Sequence, residues 1–362
     1  MRVLFLFNSL SVSGVSKANL ILANEFSRRG YDVEVLTYLN ADVSALQADN
    51  INFHCFGYKK YGFPELLISF FKLFFYFKIN KRFDLVISSS DLISLPVALV
   101  KFFYEYKLII NSHTNIIEHL KGKNIFVKGL YSFSAFVIKN MAKVTNVSYD
   151  AAVASKKFYK IDDVTVLPNP ISPWILNKNI KYVHPWFDNY KVIVACGRLT
   201  KSKNYDLMLR SFKLLTAKRN DVKLLIIGDG EERAYLERLA LQLQVLDSVH
   251  FTGNVKEPRV YMQHATFFYH TSLYEGAPMV LIEALSTDIP IVTTRFKSGA
   301  EEILENGKYG ILIDSFDLGD CISALNDGLN LSPHEKGYYS NKAKDFIPSV
   351  IADKYIETYL QC

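Results

Sequence analysis

Two glutamates eight positions apart, Glu275 and Glu283, stand in the stretch SLYEGAPMVLIEAL (Ser272–Leu285). The run before it, Thr266–His270, is apolar with strand character. Gly276, Ala277 and Pro278 turn the chain, and from Met279 onward the residues are apolar and good helix formers. Proline suits the first position of a helix, because its ring presets φ and its missing N–H had no partner there anyway. The pattern predicts a strand, a tight turn, and a helix starting near Pro278 and ending before Pro290. The amides of Met279, Val280 and Leu281 would then be free donors at the positive end of a helix dipole, a site for an anion. Glu275 in the turn and Glu283 in the second helical turn can both face whatever that end holds. Carboxylates repel a bare phosphate but suit the hydroxyls of a phosphorylated sugar.

A second candidate is the turn GRLTKSKN after Cys196, which sets Arg198, Lys201 and Lys203 beside Gly197 at the end of a predicted strand. A guanidinium and an ammonium a few residues apart can clamp a pyrophosphate, although loop cations are commonly just solvated. The G-D-G turn at Gly228–Gly230 is weak alone and is not the dinucleotide fingerprint G-x-G-x-x-G. The first turn, Ser11–Ser16, supplies neither that fingerprint nor P-loop spacing, so dinucleotide enzymes and P-loop NTPases lose support. The chain has no D-x-D pair. Without it, cationic side chains and helix dipoles, not a divalent metal, would hold a pyrophosphate. His113, in NSHTN just past the predicted strand Lys107–Asn111, can face a ligand from a strand's carboxyl end, the alternative being a surface-loop histidine. The other histidines show no ligand spacing.

Positioning these residues requires alternating strands and helices. Arg2–Phe7 (RVLFLF) is an apolar run without alternation, as in a strand buried on both faces. A Ser/Gly-rich turn follows, then helical periodicity over Val15–Arg29 ending at Gly30, then the strand Tyr31–Tyr38, a unit with a right-handed crossover. Further strands are predicted at Ile51–Phe56, Asp84–Ser88, Lys107–Asn111, Val144–Ser148 and Val164–Leu167. The residues Ile171–Tyr190, with prolines, both tryptophans and no period, read as a linker. The pattern restarts at Lys191–Cys196 and continues through Val222–Ile227, Val249–Phe251, Ile289–Thr294 and Gly310–Ile313. The expectation is two doubly wound, Rossmann-like α/β domains, residues 1–170 and 191–345, with ligands in the cleft at the carboxyl ends of their strands. Residues 346–362 are expected to form a helix returning to the first domain.

The 362 residues exceed the roughly 250–300 that one core supports, in keeping with two domains. No run reaches the roughly 18 uncharged apolar residues of a spanning helix, and the apolar start lacks a secretory cleavage site. Four scattered cysteines suggest a reducing compartment and no zinc site, hence a cytoplasmic protein. The net charge of +6 is uneven: through Val183 there are 22 Lys and Arg against 13 Asp and Glu, and beyond it 20 against 23. A basic first half suggests an anionic partner, or merely a mildly basic surface. Leu66–Phe83, apolar with Lys72, Lys78, Lys81 and Arg82, reads first as a crossover helix packed on the sheet, and alternatively as a segment in a membrane interface. Lys121, Lys123 and Lys128 with Phe126 and Tyr131 form a second candidate lipid-facing patch. No stacking-platform motif for nucleic acid accompanies them.

The motifs GRLTKSKN, IIGDGEE, HFTGNV and SLYEGAPMVLIEAL, followed by SGAEEI (Ser298–Ile303), cover most of Lys191–Ile313. In that order and spacing the chain resembles the glycosyltransferases of family 4, the retaining GT-B group that uses nucleotide sugars. The first half resembles them loosely, through its first strand and glycine turn, His113 and VLPNP. The resemblance implies that Arg198 and Lys203 hold the donor pyrophosphate and that Glu283 accepts hydrogen bonds from the ribose. It places Glu275 and the backbone Gly276–Met279 on the transferred sugar, Asn254 and Val255 beside the base, His113 near the sugar, and Gly14 where it leaves room for phosphate. Gly197, Gly228 and Val280 complete the implied donor site. The loop SVSGVSKAN departs from the family by lacking its paired glycines and following acid, and P-N-P replaces P-N-G. The implied activity is a hexosyltransferase that moves a sugar from UDP, without a metal cofactor, to a lipid-linked or growing surface glycan such as O-antigen, capsule or lipopolysaccharide. The protein would then sit peripherally on the cytoplasmic face of the inner membrane. A catalytically silent nucleotide-sugar or glycan binder, and a nucleotide-sugar epimerase on the same fold, are the alternatives.

Overall fold

The computed structural model describes residues 1–10, 14–39, 51–60, 62–80, 82–176, 184–276, 278–296, 299–331 and 334–360. The chain divides into two compact units, Met1–Ser172 with Phe346–Cys362, and Pro173–Asp345. In the first, β1 (Arg2–Phe7), β2 (Asp32–Leu39), β3 (Asn52–Tyr58), β4 (Leu85–Ser88), β5 (Lys107–Ser112), β6 (Lys143–Asn146) and β7 (Thr165–Val166) form a sheet in the order β3-β2-β1-β4-β5-β6-β7. In the second, β8 (Lys191–Cys196), β9 (Val222–Ile227), β10 (Val249–Gly253), β11 (Phe267–His270), β12 (Ile291–Thr294) and β13 (Ile311–Ile313) take the order β10-β9-β8-β11-β12-β13. The pairings within both sheets are parallel.

The unalternating apolar run in β1 has a direct structural cause. Val3, Phe5 and Phe7 belong to one buried cluster and Leu4 and Leu6 to another, one on each face of the sheet. The first cluster includes Leu22 and Phe26 of the helix Gly14–Arg28 and Ile351 and Tyr355 of the helix Pro348–Leu360. The second includes Leu66, Leu73 and Phe77 of the helix Phe63–Ile79 and Ile138 of the helix Ile125–Met141. Glu34, one of the polar positions in β2, does not mark a solvent face. It is buried, paired with Arg2, and accepts a 2.5 Å hydrogen bond from the Tyr76 hydroxyl. The C-terminal helix is tied to the first unit by Arg29 on Asp353 (2.6 Å) and by Asn111 Nδ2 on the Tyr355 hydroxyl (2.6 Å). Of the stretch read as a linker, residues 177–183 lie outside the described residues. Trp186 packs within the second unit, edge-on to His250, with Lys223 Nζ over its ring. Among the described residues no disulfide joins Cys55, Cys196 or Cys321.

In each sheet the strand order reverses once, between β1 and β4 and between β8 and β11. Helices after two such strands leave on opposite faces, which opens a crevice at their carboxyl ends. In the second unit that crevice is bordered by the turn after β8, holding Arg198 and Lys203, and the turn after β11, holding Glu275.

Backbone closeness joins the turns after β8 and β9. Gly197 N bonds the Ile227 carbonyl (2.9 Å), Leu199 N the Asp229 carbonyl (3.0 Å), and Gly228 N the Gly253 carbonyl (2.9 Å). Gly228 has φ +134°, and a Cβ there would lie 2.1 Å from the Gly197 carbonyl oxygen. Gly228→Ala is therefore expected to cost about 2–4 kcal/mol. Gly129→Ala, in a helix with nothing near its Cβ position, should be neutral or slightly stabilising. Thermal unfolding of the two variants checks this. Equal midpoints would show that the turns do not need the contact.

Candidate active site

Lys203 closes the short 3-10 turn Lys201–Lys203, and Asn204 follows it at φ +52°, a conformation asparagine tolerates, before the helix Tyr205–Thr216 begins. The turn after β11 is fastened to this one. The Thr271 hydroxyl lies 3.0 Å from the carbonyls of both Lys203 and Asn204, and Leu273 N bonds the Ser202 carbonyl (2.8 Å). Thr294 Oγ1, from β12, holds the Ser272 carbonyl at 2.8 Å. The result brings side chains 72 positions apart into contact: Lys203 Nζ forms an ion pair with Glu275 Oε1.

The same Oε1 accepts hydrogen bonds from the Ser272 hydroxyl (2.6 Å) and from His270 Nε2 (3.0 Å). Oε2 has no hydrogen-bond partner among the described residues and is the oxygen left for a ligand hydroxyl. The Glu275 side chain is 11% exposed. Burial alone would raise its pKa. The His270 hydrogen bond and the Lys203 ammonium outweigh that and lower it from 4.5 to about 2. Burial lowers the pKa of His270, only partly offset by Glu275, so its imidazole is neutral and donates from Nε2. The site is therefore a carboxylate locked in its charged form beside a cation.

The helix after the turn spans Met279–Ser286 with Pro278 at its cap position. Leu281 N is not free, since it donates to the Pro278 carbonyl at 3.0 Å. The first turn is tightened by proline's fixed geometry, so the expected donor set loses Leu281. Within this helix only Val280 and Glu283, three positions apart and thus on one face, escape full burial. Ala277 lies outside the described residues. Gly276 is half-buried before it. Gly299 (φ +117°) packs on Pro278, where a Cβ would come within 2.9 Å of the proline ring.

Arg198 is exposed at the end of β8, with no ion-pair partner among the described residues. Asn254 is exposed and Val255 half-buried just past β10. Gly197 and Gly228 are accounted for by their own close contact. In the first unit Gly14 is exposed at the start of its helix, and Ser11–Ser13 of the same turn lie outside the described residues.

His113 is not a surface-loop residue. It is 8% exposed after β5, and among the described residues neither ring nitrogen has a hydrogen-bond partner. Burial lowers its pKa to about 4, so the ring is neutral. An unpaired buried imidazole costs free energy that a ligand hydroxyl would recover. At the neighbouring position, Ser112 Oγ (2.8 Å) and the Tyr159 hydroxyl (2.6 Å) both donate to the buried carboxylate of Asp91.

Sequence reasoning missed His270, Ser272, Thr271 and Asp91. His270 had one signal: it ends the predicted strand five residues before Glu275, within reach across a turn.

Comparison with known proteins identifies the family. Residues 177–345 match the family model described as glycosyl transferases group 1, and residues 12–174 match that of glycosyltransferase family 4. The chain belongs to the family-4 glycosyltransferases, with the two-domain GT-B fold. It is 26% identical to the amylovoran biosynthesis glycosyltransferase AmsD of Erwinia amylovora over 98% of both chains. It is 34% identical over 154 residues to an N-acetylgalactosamine-N,N'-diacetylbacillosaminyl-diphospho-undecaprenol 4-alpha-N-acetylgalactosaminyltransferase of Campylobacter jejuni. That match covers 42% of this chain and 41% of the enzyme. A match to the uncharacterized glycosyltransferase MJ1059 of Methanocaldococcus jannaschii, at 32% identity, spans 60% of this chain and 50% of that protein. Among solved structures, Anabaena HepE in complex with UDP and glucose superposes with a TM-score of 0.75, at 17% identity over the whole of both chains.

The charge state of Glu275 sets a pH dependence. Its folded-state pKa lies below the ordinary 4.5, so the contribution is full above about pH 4.5 and lost as pH falls toward 2. His270 acts in the same direction, its neutral form favouring the fold above about 6.5 and losing that advantage as pH falls. Glu275→Gln should therefore lower stability by about 2–3 kcal/mol at pH 7, with the gap to wild type narrowing below pH 5. Unfolding midpoints measured from pH 7 to 4 test this, and a gap of constant size would mean that the carboxylate's charge is not what is stabilised.

Proposed function

We propose that this protein transfers a hexose or N-acetylhexosamine from a UDP-sugar, with retention, to a lipid-linked or growing glycan in bacterial surface-polysaccharide assembly. The observation that carries this reading is the part-buried Lys203–Glu275 pair at the reversal of the second sheet. It provides a movable cation for a diphosphate and a permanently ionised carboxylate for sugar hydroxyls. The names of the relatives support the setting: one builds amylovoran, one acts on a diphospho-undecaprenol-linked sugar, and HepE holds UDP and glucose.

In this reading the donor diphosphate takes the exposed Arg198 guanidinium and draws the Lys203 ammonium from Glu275, with the amide end of the helix Met279–Ser286 behind it. Glu275 Oε2 receives a hydroxyl of the transferred sugar, and Glu283 receives the ribose. With no side chain among the described residues standing out as a nucleophile, the acceptor oxygen attacks the anomeric carbon on the face from which the phosphate departs. The new C–O bond forms as the bond to the phosphate oxygen breaks, and the acceptor's proton passes to that oxygen. Stabilisation of the departing diphosphate by Arg198 and Lys203 supplies the main catalytic term, in place of a metal ion.

Arg198→Ala should leave thermal stability unchanged, since the side chain is exposed and unpaired, yet weaken UDP binding about tenfold or more. Screening nucleotide sugars by thermal shift identifies the donor, which at 100 times its dissociation constant stabilises by about 2.7 kcal/mol. Unaltered UDP affinity in Arg198→Ala, or a chelator-sensitive transfer, would overturn the cationic mechanism. Sugar interconversion without an acceptor would point to an epimerase.

A further inference from the structure

The helix Phe63–Ile79 buries Leu66, Ser69, Leu73 and Phe77, as a crossover helix packed on the sheet should. Its other face is nearly as apolar and stays open. Phe71 and Phe75 on this helix, Phe102 and Phe103 after the helix Leu95–Val100, and Phe126 and Phe136 on the helix Ile125–Met141 are 55–64% exposed. Ring contacts join the three segments into one surface: Phe63 meets Phe126 at 5.7 Å, and Phe74 meets Phe103 at 5.3 Å. Between them runs a groove of about 470 Å³ whose lining side chains are all apolar. Contiguous exposed apolar surface on this scale marks an interaction site.

The charges around it favour one partner. The helices Phe63–Ile79 and Ile125–Met141 carry Lys72, Lys78, Lys128 and Lys139 against a single carboxylate, Glu65, which is bonded to the Gly62 amide. Exposed Lys121 and Lys123 lead into the second helix, and of these Lys121 is paired with Glu118. A second copy related by a two-fold axis would set these lysines against their own kind. A groove without a polar lining suits an occupant with no hydrogen-bonding groups, and the exposed phenylalanines outside the groove reach beyond what one chain would cover. Aromatic side chains with flanking lysines match the interface of an anionic bilayer.

We infer that the face formed by Phe63–Ile79, Phe102–Phe103 and Ile125–Met141 docks onto an anionic phospholipid bilayer, with its phenylalanines among the acyl chains and its lysines at the phosphates. This rests on the lipid-linked-acceptor reading for its purpose only, since the contact itself needs neither donor nor acceptor. Among the described residues no helix is long and apolar enough to cross a membrane, so the attachment is to one surface.

Flotation with phosphatidylcholine vesicles, with and without phosphatidylglycerol, tests it with no substrate present. The expected result is binding to the anionic vesicles that weakens with salt. The triple variant Phe71→Ser, Phe75→Ser, Phe103→Ser should lose affinity by more than about tenfold while melting and UDP binding are unchanged. A second variant, Lys78→Gln with Lys123→Gln and Lys128→Gln, should lose the preference for anionic over neutral vesicles. Failure of the wild type to float, or equal flotation by the triple variant, would overturn the inference while leaving glycosyl transfer untouched. A wild-type dimer that the triple variant converts to monomer would assign the face to a second copy instead.

Discussion

The carboxylate of Glu275 is the constraint on which the candidate site of the second unit depends. Three donors, Lys203, His270 and Ser272, converge on one of its oxygens, and each arrives from a segment with its own reason to be there. Lys203 is delivered by a turn that Thr271 and Leu273 hold by its carbonyls. His270 is the last residue of β11 and is buried beside Phe296. Ser272 is placed by Thr294 from the next strand. A lone buried carboxylate would protonate. This one stays charged because its surroundings are arranged before any ligand arrives, which is the meaning of preorganisation at such a site.

The two oxygens of that carboxylate divide structure from chemistry. Oε1 is spent on the fold, and Oε2 is free of partners among the described residues. The ion pair also resolves an apparent conflict between a carboxylate and an anion in one site. The lysine neutralises the carboxylate. In the proposed reaction a donor diphosphate would draw the lysine away and leave the carboxylate to sugar hydroxyls. In the other unit burial holds His113 neutral, and among the described residues its ring nitrogens have no hydrogen-bond partner.

Much of this was legible in the sequence, and the limits have physical reasons. RVLFLF announced a strand covered on both faces, and Pro278 announced a helix start, because both signals are local. The resemblance put Lys203 and Glu275 in one donor site, but their ion pair went unread, since contact between turns after separate strands has no local signature. His270 went unread because one histidine in an apolar strand looks like any core residue. The G-D-G turn looked like a weak ligand motif, while the structure gives Gly228 a packing role against Gly197. The helix Phe63–Ile79 is apolar all round, so periodicity could not separate its packed face from its open one. Only the placement of its neighbours does that.

The central claim is that Glu275 reads the sugar and not the diphosphate. Calorimetric titration of UDP, and of the UDP-sugar that stabilises the protein most, into wild type and Glu275→Gln addresses it directly. The account predicts that UDP alone binds the variant within about threefold of wild type, or more tightly because Lys203 is released, while the extra affinity contributed by the sugar disappears. A variant that loses UDP binding but keeps the sugar's increment would contradict it.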